Sequence, residues 1–317
     1  MSRERSWWVG AYALTSSLSA FSERDAQGFY EKIRNLPRIG GLELPLHRAE
    51  KHDDPWRHLH LLPKDLDYIL TPLPYVMQSL EQQPLFGLAS ADPAGRAAAL
   101  QLMDELRNRI RRLNDHCGRS AVRAVQIHSA PTAQAQADSF RRSLDEVVRL
   151  DWGGVELWVE HCDAFQSGHT PAKGFLDIDA EISIVQEFSL GMTINWGRSV
   201  LETRRAEGAL EHLVQARDAG VLRALFLSSV TVQDPIYGNW LDNHAPLQGV
   251  GHGAWLPHAS LLTRAEVQKA FAAAASIPFW GIKIQPGPAS LSLADRLQCV
   301  REHLEFFSSL ESRRAGL

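Results

Sequence analysis

Two hydrophobic periods alternate along this chain. In short segments every second residue is apolar, as in a half-buried strand, and the segments between them repeat apolar residues every three or four positions, as in an amphipathic helix. The most informative strand lies at residues 155–160, where three apolar residues share one face and Glu156, Trp158 and Glu160 share the other. Because an unpaired buried carboxylate is costly, this strand must either line a wet functional cavity or supply its acids with partners.

Eight segments have strand character, and each is followed by a segment of helical period. The predicted strands are residues 7–14, 40–47, 68–71, 121–127, 155–160, 191–195, 222–227 and 279–285. A short helix is predicted from Asp54 to Leu62, and a long loop is predicted from the third strand to a helix that begins at Asp92-Pro93. One uninterrupted series of strand–helix units over residues 1–317 predicts a single (β/α)8 TIM barrel domain. The alternative, a doubly wound open sheet, is disfavoured because no Gly-x-Gly-x-x-Gly follows the first strand.

The segment from about 228 to 260, after the seventh strand, carries no clear period. A connection of this length is uncommon in a compact domain and is usually functional or mobile. One interpretation is a lid that closes over the barrel and excludes water. The others are a plain surface excursion and a contact within a homo-oligomer, so self-association is left open.

Composition narrows the class of protein. Hydrophobic residues make up 44% of the 317 and charged residues 22%, which is typical of a soluble globular chain. The net charge of −4 gives no electrostatic footprint for nucleic acid or for an anionic membrane, and no apolar run reaches about 20 residues. Three widely spaced cysteines, Cys117, Cys162 and Cys299, argue against a disulfide framework and for a cytoplasmic location.

Polar residues are concentrated where the active site of such a barrel lies, at the C-terminal ends of the strands. Acids, bases and amides that converge from several strands suit a polyhydroxylated ligand, since each hydroxyl needs its own donor or acceptor. We therefore expect a small carbohydrate or sugar acid as the ligand. For the deeper Glu43 and Glu156, a salt bridge to Lys283 or to an arginine is the structural alternative. The candidate site residues are Tyr12, Glu43, His47, Thr71, Gln126, His128, Glu156, Trp158, Glu160, His161, Asn195, Arg198, Lys283 and Gln285.

Four short motifs carry a resemblance to a known superfamily. They are Gly-Ala-Tyr at 10–12, Val-Glu-His-Cys-Asp at 159–163, Ile-Asn-Trp-Gly-Arg at 194–198 and Gly-Ile-Lys-Ile-Gln-Pro at 281–286. With these motifs the whole chain resembles the xylose-isomerase-like sugar isomerases and epimerases, and in particular an uncharacterised family placed within that superfamily. The resemblance implies a TIM barrel and chemistry on sugars.

The resemblance also implies a divalent metal, with a glutamate at strand five, an aspartate at strand six, a histidine at strand seven and a glutamate at strand eight as ligands. Only Glu160 matches, because the other strands offer Asn195, Ser228 and Lys283. Neutral or cationic replacements of three anionic or imidazole ligands should abolish tight binding of a hard cation. A manganese, zinc or iron site is therefore expected to be degenerate or absent at this position.

Two mechanisms fit these residues. In the first, Glu160 is the general base that removes a proton next to a carbonyl, Lys283 stabilises the enediolate, and His128 or His47 relays a proton, which gives isomerisation or epimerisation. In the second, a relocated metal is bound by His47, His128 and Glu160. The alternatives are a carbohydrate-binding protein without turnover and a lyase that acts on an oxidised sugar. A metal-dependent nuclease on the same fold is disfavoured by the negative net charge and the missing ligands.

Overall fold

Eight parallel strands close into a barrel in sequence order, β1 to β8. The computed structural model describes residues 6–48, 51–251, 257–274 and 277–315, without the side chains of 311–315. The strands are β1 (Trp7–Gly10), β2 (Ile39–Pro45), β3 (Asp67–Thr71), β4 (Val122–Ile127), β5 (Glu156–His161), β6 (Gly191–Asn195), β7 (Leu222–Leu227) and β8 (Phe279–Ile282). The helices are α1 (Glu23–Ile33), α2 (Leu73–Gln82), α3 (Pro93–Cys117), α4 (Ala137–Val147), α5 (Ile178–Glu187), α6 (Trp196–Thr203), α7 (Ala206–Asp218), α8 (Arg264–Ala274) and α9 (Leu293–Ala315). The predicted (β/α)8 barrel is confirmed.

Four local predictions were wrong. The first strand stops at Gly10 and continues as a 3₁₀ turn, and the helix predicted to end at Leu62 is only a 3₁₀ turn at Leu59–Leu61. The loop predicted after the third strand contains α2, which has a proline in its first turn, where the missing N–H costs nothing. Helix α6 was also missed, although Asn195 caps it by accepting a hydrogen bond from the backbone N–H of Arg198 at 3.3 Å.

Aromatic side chains fill the inside of the barrel below the polar groups of its C-terminal mouth. Each one lies over a glycine of a neighbouring strand, and a Cβ atom on any of these glycines would fall 2.2–2.4 Å from a ring atom. The pairs are Trp8 with Gly41, Trp158 with Gly191, and Phe226 with Gly281. Phe279 closes the layer edge-on to Trp158, with ring centroids 4.7 Å apart. We call this layer the barrel floor.

Outside the barrel, the helices cover the apolar faces of the strands and form a continuous core. Between β1, β8 and the last two helices this core is aromatic. Trp7 stacks on Phe307 at 4.6 Å and lies edge-on to Trp280 at 6.2 Å. Within the described part of the chain, no helix combines the length and hydropathy that a membrane span requires.

Candidate active site

Glu160 is the centre of the polar cluster at the C-terminal mouth of the barrel. It is fully buried, and its two oxygens contact three side chains. His128 Nε2 lies 2.9 Å from Oε2, while Arg198 Nη1 and Lys283 Nζ lie 2.6 and 3.6 Å from Oε1. Burial alone would raise the pKa of Glu160, but Arg198 and Lys283 outweigh it and hold the pKa well below its usual range. Glu160 is therefore a carboxylate at neutral pH.

Lys283 joins this carboxylate to a second one. It directly follows β8, is fully buried, and its Nζ lies 2.8 Å from Glu43 Oε2, so the alternative of a Glu43–Lys283 salt bridge is confirmed. Burial raises the pKa of Glu43, and Lys283 only partly opposes that effect. The ammonium also lies 5.6 Å from the centre of the Tyr12 ring. Gly10 makes room for it, since a Cβ there would lie 2.9 Å from Lys283 Cγ.

A third carboxylate, Asp242, extends the cluster towards solvent. Its Oδ2 accepts from Arg198 Nε and from Lys173 Nζ, both at 3.1 Å, and its Oδ1 lies 3.3 Å from His244 Nδ1. Sequence analysis missed Lys173, Asp242 and His244, because they lie in connections after β5 and β7 that have no hydrophobic period. With them, three cations meet three anions in this described cluster: Lys173, Arg198 and Lys283 with Glu43, Glu160 and Asp242.

Several buried polar atoms at the mouth lack a hydrogen-bond partner among the described residues. Each of their side chains is at most 3% exposed. Leaving such a group unsatisfied costs about 1–3 kcal/mol, so a hydroxylated ligand or water is expected to complete them. The atoms are Thr71 Oγ1, Gln126 Oε1 and Nε2, His128 Nδ1, Thr193 Oγ1 and Asn195 Nδ2.

Most of the other candidates lie at the rim. His47 follows β2 and is half-buried, and burial lowers its pKa to about 4. Gln285 follows β8, where its Oε1 accepts from Ser16 Oγ at 3.3 Å. Arg198 and Asn195 lie within the cluster, and Asn195 Oδ1 accepts from Ser228 Oγ at 2.8 Å.

Three candidates lie away from the mouth. Glu156 is exposed at the opposite end of β5, where it accepts from Trp158 Nε1 at 2.8 Å and faces Arg223 at 3.7 Å, which corrects its expected inward position. Trp158 belongs to the barrel floor, too deep to stack on a sugar at the mouth. His161 points outward towards the helices, because side chains alternate along a strand and its neighbour Glu160 points inward.

The metal position of the superfamily does not fit these residues. The single matching ligand, Glu160, is already paired with Arg198 and His128, and the ammonium of Lys283 occupies the place of a carboxylate. A divalent ion here would meet two fixed positive charges. The relocated metal site of His47, His128 and Glu160 is not formed either. Within the described residues, the group of possible ligands at the mouth is His128, Glu160 and Cys162. Arg198 Nη1 lies 3.8 Å from the sulfur of Cys162.

Comparison with solved structures supports the fold. A xylose isomerase domain containing protein from Salmonella typhimurium LT2 superposes with a TM-score of 0.59 at 12% identity, covering 96% of this chain and 98% of the other. D-allulose 3-epimerase from a Methylomonas species, in complex with D-allulose, superposes with a TM-score of 0.55 at 12% identity over 97% and 98% of the two chains. The fold is thus that of the xylose-isomerase-like TIM barrels.

Sequence comparison gives a family. A Salmonella typhimurium protein described as "Uncharacterized protein STM3670" is 32% identical over 321 residues, which is 99% of this chain and all of the relative. The family model of DUF4862, described as a domain of unknown function, matches residues 8–299. This chain, a xylose-isomerase-like barrel with lysine and arginine around its strand-five glutamate, therefore belongs to the DUF4862 family.

Proposed function

We propose that this protein is an isomerase or epimerase of a sugar or sugar derivative, which moves a proton next to a carbonyl without the superfamily's metal site. The observation that carries the proposal is Lys283, held between the carboxylates of Glu43 and Glu160 at the mouth. A buried ammonium can stabilise the oxyanion that forms when a proton leaves the neighbouring carbon. That is the electrostatic role for which the superfamily's metal would otherwise be needed.

The substrate we propose is a small neutral polyhydroxylated carbonyl compound. Because each cation of the cluster already contacts a carboxylate, none is left to compensate a full charge on the ligand. The unpartnered groups of Thr71, Gln126 and Asn195 would instead pair with hydroxyls. The fold neighbour from Methylomonas, crystallised with D-allulose, offers a precedent for a ligand of this class.

The hydrogen bonds favour His128, rather than Glu160, as the base. His128 Nε2 faces the carboxylate of Glu160, so the assigned tautomer has its proton on Nε2 and its lone pair on Nδ1. Burial lowers the pKa of His128, which keeps the ring neutral near pH 7. Glu160, held as an anion by Arg198 and Lys283, is a weak base and acts as a positioning residue for His128.

The proposed step moves one proton and breaks no carbon–carbon bond. His128 Nδ1 takes the proton from the carbon next to the carbonyl, the C–H electrons form the enediolate double bond, and the carbonyl oxygen becomes an oxyanion beside Lys283. Glu43, whose raised pKa favours the protonated form, gives its proton to the opposite face, and the proton held by His128 is returned to Glu43 through exchange with water. Return of a proton to the opposite face of the same carbon gives the epimer, and return to the former carbonyl carbon gives the isomer.

Exchange of substrate hydrogen with deuterium tests this proposal. The protein is incubated in D2O with a panel of ketoses, aldoses and their oxidised derivatives, and NMR follows C–H loss and new products. We expect exchange with at least one sugar, and at least about 100-fold slower exchange in His128→Gln and in Glu43→Gln. The matched control is His60→Gln, which removes an exposed histidine paired with Glu23 at 2.8 Å and should leave the rate unchanged.

Other outcomes lead to the alternatives. Sugar binding by calorimetry with no exchange in any sample would indicate a carbohydrate-binding protein. Loss of a hydroxyl or carboxylate β to the carbonyl, with an unsaturated product, would indicate a lyase. Full exchange in a folded His128→Gln variant would refute the assigned base.

A further inference from the structure

We propose that a second polar cluster, outside the barrel, binds a zinc-class divalent transition metal ion. We call it the outer cluster, and it consists of His161, Glu181, Glu202 and His212. The first comes from β5 and the others from α5, α6 and α7. Each of the four residues is at most 6% exposed. No step of the proposed sugar chemistry uses this cluster.

Three of these residues present ligand atoms towards one another. His161 Nε2 lies 3.1 Å from Glu202 Oε2, and His212 Nε2 lies 3.8 Å from Glu202 Oε1. One ligand atom from each residue lies within 4.8 Å of the other two. Tetrahedral zinc with bonds of about 2.1 Å separates its ligand atoms by about 3.4 Å, so only small side-chain shifts are needed. Two histidines and one glutamate with an open fourth position are a common zinc ligand set.

The remaining carboxylate holds the first histidine in the orientation that a metal requires. Glu181 Oε2 lies 2.7 Å from His161 Nδ1, which directs the other ring nitrogen towards Glu202. Ser129 Oγ in turn donates to Glu181. A carboxylate on the far nitrogen of a histidine ligand fixes its tautomer and increases its basicity, and metal-bound histidines almost always have a carboxylate, a backbone carbonyl or a water at that nitrogen.

The charges of the outer cluster also favour a cation. Among the described residues, Glu181 and Glu202 form ion pairs with histidines and with no lysine or arginine. With both imidazoles neutral the cluster carries two buried negative charges, and one imidazolium would still leave one. A divalent ion between neutral imidazoles neutralises both carboxylates, which removes the cost of an uncompensated buried charge.

The site has a route for an ion and for a water ligand. Glu202 lies on the wall of an open groove of about 340 Å³, which Gln166, His169, Thr203, Arg204 and Arg205 also line. The groove lies beside the outer cluster, so the fourth coordination position can be filled by water. Helix α6 links the two clusters, since Arg198 and Glu202 lie one turn apart on it. A metal at Glu202 would therefore fix the helix that presents Arg198 to Glu160.

Metal analysis of the full chain tests the proposal. Protein is stripped with a chelator, loaded with zinc alone, desalted and measured by mass spectrometry for zinc per chain. We expect about one equivalent in wild type, in His60→Gln and in Glu160→Gln, and loss of zinc in His212→Gln and Glu202→Gln. Glu181→Gln should bind zinc roughly 10- to 100-fold more weakly, because it removes only the outer hydrogen bond.

If circular dichroism shows that the glutamine variants do not fold, cobalt substitution gives an independent readout. Wild type loaded with Co2+ should show the visible bands of a tetrahedral site, and folded His212→Cys should add a thiolate-to-cobalt charge-transfer band. The proposal is overturned if wild type neither retains zinc nor melts at higher temperature with it, or if folded His212→Cys lacks that band. It is equally overturned if zinc is lost in Glu160→Gln but kept in His212→Gln, because the ion would then lie at the mouth.

Discussion

Two buried clusters meet at consecutive residues of β5, and they differ in how their acids are neutralised. Glu160 points into the barrel, where Arg198 and Lys283 neutralise it. His161 points the other way, between Glu181 and Glu202, which within the described chain form ion pairs only with histidines. The two clusters share a strand and a comparable depth of burial.

The comparison shows that charge balance, more than residue type, decides what a buried acid can do. Both clusters contain glutamates and histidines in contact. At the mouth, fixed cations pair with the carboxylates, so the capacity that remains is that of the unpartnered hydrogen-bonding groups. In the outer cluster the compensation is incomplete, and a metal ion can supply it. Each prediction below alters one side of this comparison.

The largest effect is expected when the mouth loses its central cation. Lys283→Met leaves Glu43 and Glu160 buried near each other without the ammonium between them, and breaking such a pair costs about 3–5 kcal/mol. Urea unfolding measures this loss. Lys269→Met is the control. Lys269 pairs with Glu266, but its side chain is half exposed, so this substitution should cost less than about 1 kcal/mol. Equal costs would show that the mouth pair is not energetically coupled.

The next largest effect is the difference in stability cost between replacing one glutamate of each cluster, measured in chelator-treated protein. Glu160→Gln leaves the mouth with one excess positive charge and should cost about 3 kcal/mol. Glu202→Gln breaks a pair with His161, but His161 keeps Glu181 as a partner and the glutamine keeps an oxygen to accept from the Ala164 backbone N–H, so it should cost less, about 1–2 kcal/mol. Denaturant midpoints compare the two. A more costly Glu202→Gln would contradict the charge imbalance inferred for the outer cluster.

A smaller effect is expected from crowding the lysine rather than removing it. Gly10→Ala places a Cβ 2.9 Å from Lys283 Cγ and 3.3 Å from Glu43 Oε2, so the ion pair must shift, at a cost of about 1–3 kcal/mol. Gly28→Ala, in α1, meets no atom within 4 Å and should instead stabilise the protein by about 0.5–1 kcal/mol. Thermal melts of both variants give the sign. A Gly10→Ala variant as stable as Gly28→Ala would mean that Lys283 moves freely.

The smallest effect is the one expected from pH changes near neutrality. Burial lowers the pKa of His47 to about 4 and that of His244 to about 3, below the ordinary 6.5. The folded protein therefore binds fewer protons than the unfolded chain between these values, so their contribution to stability is complete above pH 6.5 and is lost as the pH falls towards 4 and 3. From pH 6.5 to 8 neither should change charge. Ring NMR titration, with His47→Asn for assignment, checks this, and a midpoint near 6.5 would contradict it.

The barrel could be predicted because the hydrophobic pattern of each strand and helix depends only on nearby residues. Strands β6 and β7 were predicted with their observed bounds, and alternation correctly placed Glu43, Gln126 and Glu160 inside. The same rule requires His161 to point outward, and including it among the mouth residues disregarded that rule. Helices α2 and α6 were missed because the strand and turn patterns around them were read as continuous connections.

The long-range contacts could not be predicted from one sequence. Asp242 lies 44 residues after its partner Arg198, in a segment without any period, and the lid predicted for about 228–260 remains a prediction, with residues 252–256 outside the described range. Glu202 and His212 occupy single positions in otherwise ordinary helices. Only packing of α6 against α7 brings them to His161.

The barrel floor has an electrical consequence. The indole and phenyl rings of the floor form a layer without charged or strongly dipolar groups, and the Phe226 ring centre lies 5.3 Å from the Lys283 ammonium. Coulomb interactions strengthen as the surrounding dielectric falls, so the apolar floor strengthens the field of Lys283 and Glu160 on the side of the mouth. A carbonyl placed there would be polarised from one direction only, which orients a ligand before any proton moves.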